Sequence, residues 1–180
     1  MTATRQIALL RGINLGSRRR VAMADLRDLM SDLGYDDVRT HLQSGNVVFT
    51  GPDPPERAAR RIEKALARDT GVDTEVLVRT RDELARVVER NPLREHARDP
   101  KRHLVVFLSA EPDRKRLRGV DADDYAPERF ATHGREIYVW LPDGVQKARL
   151  THAFWEKRLE VSATARNWST VERLLALADE

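Results

Sequence analysis

Ile7-Ala8-Leu9-Leu10-Arg11-Gly12-Ile13-Asn14-Leu15-Gly16 is the stretch on which the fold turns. A short apolar run stops at a charged, glycine-containing turn, the pattern of a buried strand. Gln43-Ser44-Gly45-Asn46-Val47-Val48-Phe49 is its counterpart, a polar glycine turn leading into an apolar run. Arg11, Asn14, Ser44 and Asn46 are residue types that grip oxyanions and amides.

Outward from these two stretches the elements alternate. Met23, Leu26, Leu29, Met30 and Leu33 recur at helical spacing, with Gly34 as a stop. Val38 to Leu42 alternates like a half-buried strand, and Val47 to Thr50 is the next strand. Gly51-Pro52-Asp53-Pro54-Pro55 breaks the chain. Ala58, Ile62, Ala65 and Leu66 mark a second helix closed by Gly71. Val76-Leu77-Val78 is a fourth strand, and Thr80 caps a third helix through Leu84, Val87 and Val88.

After Asn91-Pro92 the order repeats. His103 to Leu108 is a strand and Asp113 to Arg118 a helix. Arg129 to Thr132 and Ile137 to Leu141 form a hairpin around His133-Gly134. Ala153, Phe154, Trp155 and Leu159 mark a helix started near Thr151. An extended piece from Val161 to Ala165 leads to a last helix, opened by Arg166-Asn167-Trp168-Ser169 and running through Val171, Leu174, Leu175 and Leu177.

Each half therefore reads β-α-β-β-α-β-α. The expected class is α+β, with duplicated ferredoxin-like (βαββαβ) units, each with an appended helix, divided as 1–91 and 92–180. In that order the first and third strands are central, adjacent and antiparallel. Arg11 to Asn14 should then meet Gln43 to Asn46 at one sheet edge.

The chain has 180 residues, enough for one large domain or two small ones. It has no Cys, so no disulfide framework, thiolate nucleophile or cysteine metal cluster is expected. The first residues lack a signal-peptide core, and no apolar run approaches the roughly 20 residues that span a bilayer. The expectation is a cytoplasmic protein without a membrane partner. The five His residues show no metal-ligand spacing, and Asp121 to Asp124 lacks the EF-hand pattern. No Ser/His/Asp set is suggested, and no cofactor or general base is indicated.

Charged residues make up 34% of the chain, yet the net charge is only +3. Acids are interleaved with bases, so most Arg reads as solvated, salt-bridged surface. The basic concentrations are Arg18-Arg19-Arg20 and Arg94 to Arg102. Gly12, Gly16 and Ser17 with those three arginines form a basic loop ahead of a helix, a fitting place for an anion. It is neither a Walker nor a dinucleotide sequence. Turn geometry alone also accounts for the glycines, and Ser44-Gly45-Asn46 also reads as a tight turn with local side-chain caps. Asn167 or Ser169 reads equally as a helix cap.

The strings Leu9 to Asn14, Gln43 to Phe49 and Thr164-Ala165-Arg166-Asn167-Trp168 together resemble a bacterial family, domain of unknown function 1697. Met23 with Leu26, and Leu141-Pro142-Asp143-Gly144, extend the resemblance over nearly the whole chain. It implies a duplicated ferredoxin-like fold and no established activity. It adds weight to Arg11, Asn14, Ser44, Asn46, Arg166 and Asn167 as more than turn residues. The chain departs from the family pattern at Ser17 to Arg20, at His41 for a usual Tyr, and at Gln146 to Arg149 for a Gly-Arg-Ser-Lys-like stretch.

Three functions compete. The first is a pocket for a small anionic ligand, a nucleotide or other phosphate ester, built from Arg11, Gly12, Asn14, Arg20, Ser44, Gly45, Asn46, Arg166 and Asn167. The second is weak RNA-backbone binding through Arg18 to Arg20. Strand one lacks the aromatics of an RNA-binding sheet and strand three has only Phe49, which disfavours specific nucleic-acid recognition. The third is a non-catalytic protein-interaction module.

Overall fold

The computed structural model describes residues 2–180. Two compact units divide the chain. One comprises residues 1–86 with 173–180, and the other residues 87–172.

In the first unit, β1 (Thr4–Leu10) is followed by α1 (Met23–Asp32), β2 (Asp36–His41), β3 (Asn46–Gly51), α2 (Pro55–Thr70) and β4 (Val76–Thr80). The sheet is antiparallel in the order β2-β3-β1-β4, which puts β1 and β3 at its centre. Ala8, Leu10, Val47, Phe49, Val76 and Val78 on one face pack with Leu26, Met30, Ile62 and Leu66 of the two helices. Ile7, Leu9, Val48 and Leu77, which alternate with them, are at most 4% exposed, so the strands are buried on both sides. That explains why they read as unbroken apolar runs and not as alternation.

α3 (Arg81–Glu89) follows β4 with no intervening residue. Thr80 Oγ1 accepts from the Glu83 amide at 3.1 Å, and Glu83 Oε2 accepts from the Thr80 amide at 2.8 Å. Thr80-Arg81-Asp82-Glu83 is thus a capping box, satisfying two amides that a helix start leaves open.

The second unit carries β5 (His103–Leu108), α4 (Arg114–Arg118), β6 (Arg129–His133), β7 (Glu136–Trp140), α5 (His152–Leu159) and β8 (Ala163–Asn167). Its sheet is antiparallel in the order β6-β7-β5-β8. Val106, Leu108, Ile137, Val139 and Leu141 pack with Trp155 and Leu159 of α5. α6 (Trp168–Asp179) ends the chain. Together these elements make an α+β protein of two four-stranded antiparallel sheets and six α-helices among the described residues.

The last strand lies two residues later than its apolar pattern predicts. Arg166 and Asn167 do not open the final helix; they finish β8, pairing with Val105 and Leu104. The ladder to β5 outweighs local preference there. Asn167 Oδ1 still accepts from the Thr170 amide at 3.0 Å, so the strand's last residue caps the helix that follows.

Candidate functional site

β1 and β3 are register partners up to Leu9 and Asn46. Beyond that pair the ends of both strands become turns at one sheet edge, and the turns touch. The Leu10 amide donates to the Gly45 carbonyl at 2.9 Å. A Cβ on Gly45 would lie 2.7 Å from Leu10 Cβ and 2.8 Å from Ile13 Cδ1, and its φ is +81°. Only glycine allows this approach. The expected meeting of Arg11 to Asn14 with Gln43 to Asn46 is therefore present.

Asn14 is the tie. Its side-chain amide nitrogen donates to the carbonyls of Val21 at 2.9 Å and Gln43 at 2.7 Å. Its oxygen accepts from the Val21 amide at 2.8 Å. The Asn14 amide N–H donates to the Arg19 carbonyl at 2.9 Å. One residue so closes the base of a loop spanning residues 15–20 and fastens it to the neighbouring turn. Asn46 is fully buried, and its amide donates to the His41 carbonyl at 2.8 Å and to Ser44 Oγ at 2.9 Å. Both asparagines spend these donors on protein acceptors, so they shape the edge. Arg11 is held through its backbone: its amide donates to the Glu75 carbonyl at 3.0 Å, and its carbonyl accepts from Thr74 Oγ1.

The loop backbone alternates. Gly12, Asn14 and Gly16 have φ of +61°, +55° and +71°, while Ile13 and Leu15 between them do not enter positive φ. These left-handed residues curve the loop back on itself, so that the Asn14 N–H meets the Arg19 carbonyl across it. The spacing Gly-x-Asn-x-Gly was the available sequence signal, since Gly and Asn are the residues that accept left-handed φ.

Residues 15–20 are exposed. Arg20 Nη1 donates back to the Gly16 carbonyl at 2.9 Å. Arg19 Nη1 lies 3.8 Å from where a Gly12 Cβ would stand, so its guanidinium arches over the start of the alternation. Arg18 and Arg19, not singled out individually from the sequence, join Arg20 as the exposed cations of this edge. Leu15 and Leu42, next to the Asn14–Gln43 bond, are 72% and 57% exposed.

Arg166 and Asn167 belong to the second unit. Arg166 is 7% exposed, and its Nη1 donates to Thr164 Oγ1 at 2.7 Å and to the Ala165 carbonyl at 2.9 Å. Burial lowers its pKa to about 10. Arg166 pairs with Val105 as Arg79, 2% exposed, pairs with Ile7, so the two sheets bury an arginine at matching positions of their last strands.

A second charged group, not anticipated from the sequence, sits at the end of β3. Asp53, 8% exposed, accepts from Tyr35 Oη at 2.9 Å, pairs with Arg57 Nε at 3.2 Å and also holds Arg61 Nη1. Burial works against its charge, but the hydrogen bonds from Arg61 and Tyr35 keep its carboxyl below the usual range. Burial, with Asp53 next to it, pushes the Tyr35 hydroxyl up to about 12. This cluster ties α2 to the loop before it and to Tyr35, between α1 and β2. Among the described residues no group of three or more His, Asp or Glu could hold a metal ion.

No curated protein matches the chain in sequence. A solved structure described as that of conserved bacterial protein SP0830 from Streptococcus pneumoniae has a TM-score of 0.72 and 21% identity, over 98% of this chain and 99% of that one. That likeness is one of fold. The profile of the family described as "Protein of unknown function (DUF1697)" matches residues 3–138, three quarters of the length, and the chain belongs to that family.

Proposed function

We propose that the first unit binds a small anionic ligand, a nucleotide or other phosphate ester, in the loop after β1. The exposed run Arg18 to Arg20 on a loop curved by positive φ at Gly12, Asn14 and Gly16 carries the reading, because it holds three guanidinium groups close together at one turn. Arg18, Arg19 and Arg20 supply charge, with Arg11 and Gly12 at the root of the loop. Asn14, Ser44, Gly45 and Asn46 hold the two turns in register. Leu15 and Leu42 offer apolar surface to the organic part of an ester. The reading for this unit does not draw on Arg166 and Asn167.

The architecture is part of the same proposal. The order β2-β3-β1-β4, with two helices on one face, supports reading each unit as a ferredoxin-like repeat with an appended helix, divided near residues 91 and 92. An open base-stacking platform is disfavoured, since β1 and β3 are buried on both sides. The exposed run Arg18 to Arg20 favours phosphate-backbone contact as the second reading.

Calorimetric titration with inorganic pyrophosphate and adenosine 5′-monophosphate tests the site. Binding should weaken about tenfold in Arg18→Ala/Arg19→Ala, the loss of a charge-assisted contact, with an unchanged melting temperature. Arg11→Ala separates a ligand role from a structural one. A large loss of melting temperature in that variant, with no ligand-induced shift in the parent, would leave Arg11 structural and defeat the proposal.

A further inference from the structure

α4 packs on α5, and between them the second unit has a cavity of about 580 Å³. Lys115, Arg116 and Gly119 line one side, and Phe154, Lys157 and Arg158 the other. The volume falls in the range of small-molecule sites, roughly 300–1,000 Å³.

The charge at this cavity is lopsided. Residues 113–119 and 154–160 hold six cations against three carboxylates. Each carboxylate has work elsewhere or is already matched. Asp113 accepts from the Arg116 amide at 2.9 Å as a helix cap, and Glu156 accepts from the Ala163 amide at 2.8 Å. Glu160 pairs with Arg116 at 2.8 Å. Arg158 is occupied by the Gly119 carbonyl. The side-chain ammonium groups of Lys115 and Lys157 have no hydrogen bond or ion pair among the described residues. Both side chains are exposed, so their ammonium groups are open to an anion that enters the cavity.

One residue of the lining, Phe154, is aromatic. Phe154 is half-buried and stands edge-on to Tyr125 and Trp155, with ring centroids 5.2 and 5.0 Å away. Those neighbours hold the ring in place while part of it faces the cavity. Gly119 needs no special φ. A Cβ there would lie 3.2 Å from the Arg116 carbonyl and 3.5 Å from Arg158 Nη2, so glycine keeps this rim clear.

We infer that the second unit has its own ligand site between α4 and α5, for a small organic anion that carries a flat ring, such as an aryl or nucleoside phosphate. Lys115 and Lys157 hold the anion, and Phe154 takes the ring. All six lining residues fall within the second unit, so the site is independent of the loop after β1.

Calorimetric titration of the full chain with phenyl phosphate tests it, with inorganic phosphate and a 20-nucleotide RNA as comparison probes. Phenyl phosphate should bind, and Lys115→Ala and Lys157→Ala should each weaken it about tenfold, as expected for loss of a charged contact. Neither lysine lies in the core, so their melting temperatures should match the parent's. Phe154→Leu should weaken phenyl phosphate and leave inorganic phosphate unchanged. Arg18→Ala/Arg19→Ala should have no effect, which separates this site from the loop of the first unit. Three results would each overturn the inference: no binding of phenyl phosphate, binding indifferent to both lysines, or lysine-dependent binding of RNA alone.

Discussion

His103 shows at the scale of one residue what burial decides. The sequence makes it the first residue of a strand, as the structure does for β5, and burial adds what the sequence does not show: it is fully buried and stacked on Trp168 at 5.0 Å. Its Nδ1 is 3.1 Å from the Val139 carbonyl and its Nε2 is 2.9 Å from the Asn91 side-chain nitrogen. A neutral ring satisfies both, donating through Nδ1 and accepting at Nε2. A protonated ring would set one donor against another. Burial lowers the pKa below 6.5, outweighing the Val139 carbonyl. The folded state therefore binds fewer protons than the unfolded one in this range. The stability His103 contributes is complete above pH 6.5 and lost as pH falls through the folded pKa. Asn91→Asp should reverse this locally, because an aspartate acceptor favours the charged ring. Melting curves between pH 5 and 8 should show the parent losing stability on acidification and Asn91→Asp losing less; parallel curves would contradict the assignment. Gly45→Ala is a second residue-scale case. The added methyl meets Leu10 and Ile13 below 3.0 Å and must hold φ at +81°. A loss of about 2–4 kcal/mol in urea unfolding is expected.

At the scale of elements, the two helices that follow a last strand begin alike. Thr80 closes β4 and caps α3; Asn167 closes β8 and caps α6. Strand end and helix cap are the same residue at each place. Thr80→Ala and Asn167→Ala should each cost about 1 kcal/mol by urea unfolding, and Thr80→Ser should restore most of the loss. The cap at Thr80 was readable because its signature is local, while its partner Glu83 came from the structure. The start of α6 was not. The periodicity of Val171, Leu174 and Leu177 is local, whereas the pairing of Arg166 and Asn167 with β5 lies about 60 residues away in the chain.

For the whole molecule, the weak net charge of +3 is spread over 32 basic and 29 acidic residues. No helix among the described residues is long and apolar enough to cross a membrane. With three exposed arginines in one run and β1 and β3 buried on both sides, generic single-stranded RNA should bind no tighter than about 1 μM at physiological salt. The slope of log K against log salt should be about −2. Electrophoretic shifts that remain nanomolar and salt-insensitive would refute that picture and bring the basic cavity between α4 and α5 into the nucleic-acid account.

The α+β class, the element order and the meeting of the turns after β1 and before β3 were written in the sequence. Apolar runs, helical periods and glycine turns are local patterns, and strand adjacency follows from their order. What each polar side chain does was decided by tertiary contacts. Asn14 and Asn46 look like ligand-gripping residues in the chain, and their side-chain donors turn out to hold the turns, because acceptors at Val21, Gln43 and His41 lie within reach only after folding. Lys115 and Lys157 look like ordinary surface charges 42 positions apart, and they line one cavity because α4 packs on α5. Residue type is a property of the sequence; which donors and charges are left unmatched depends on distances that only the packed chain sets.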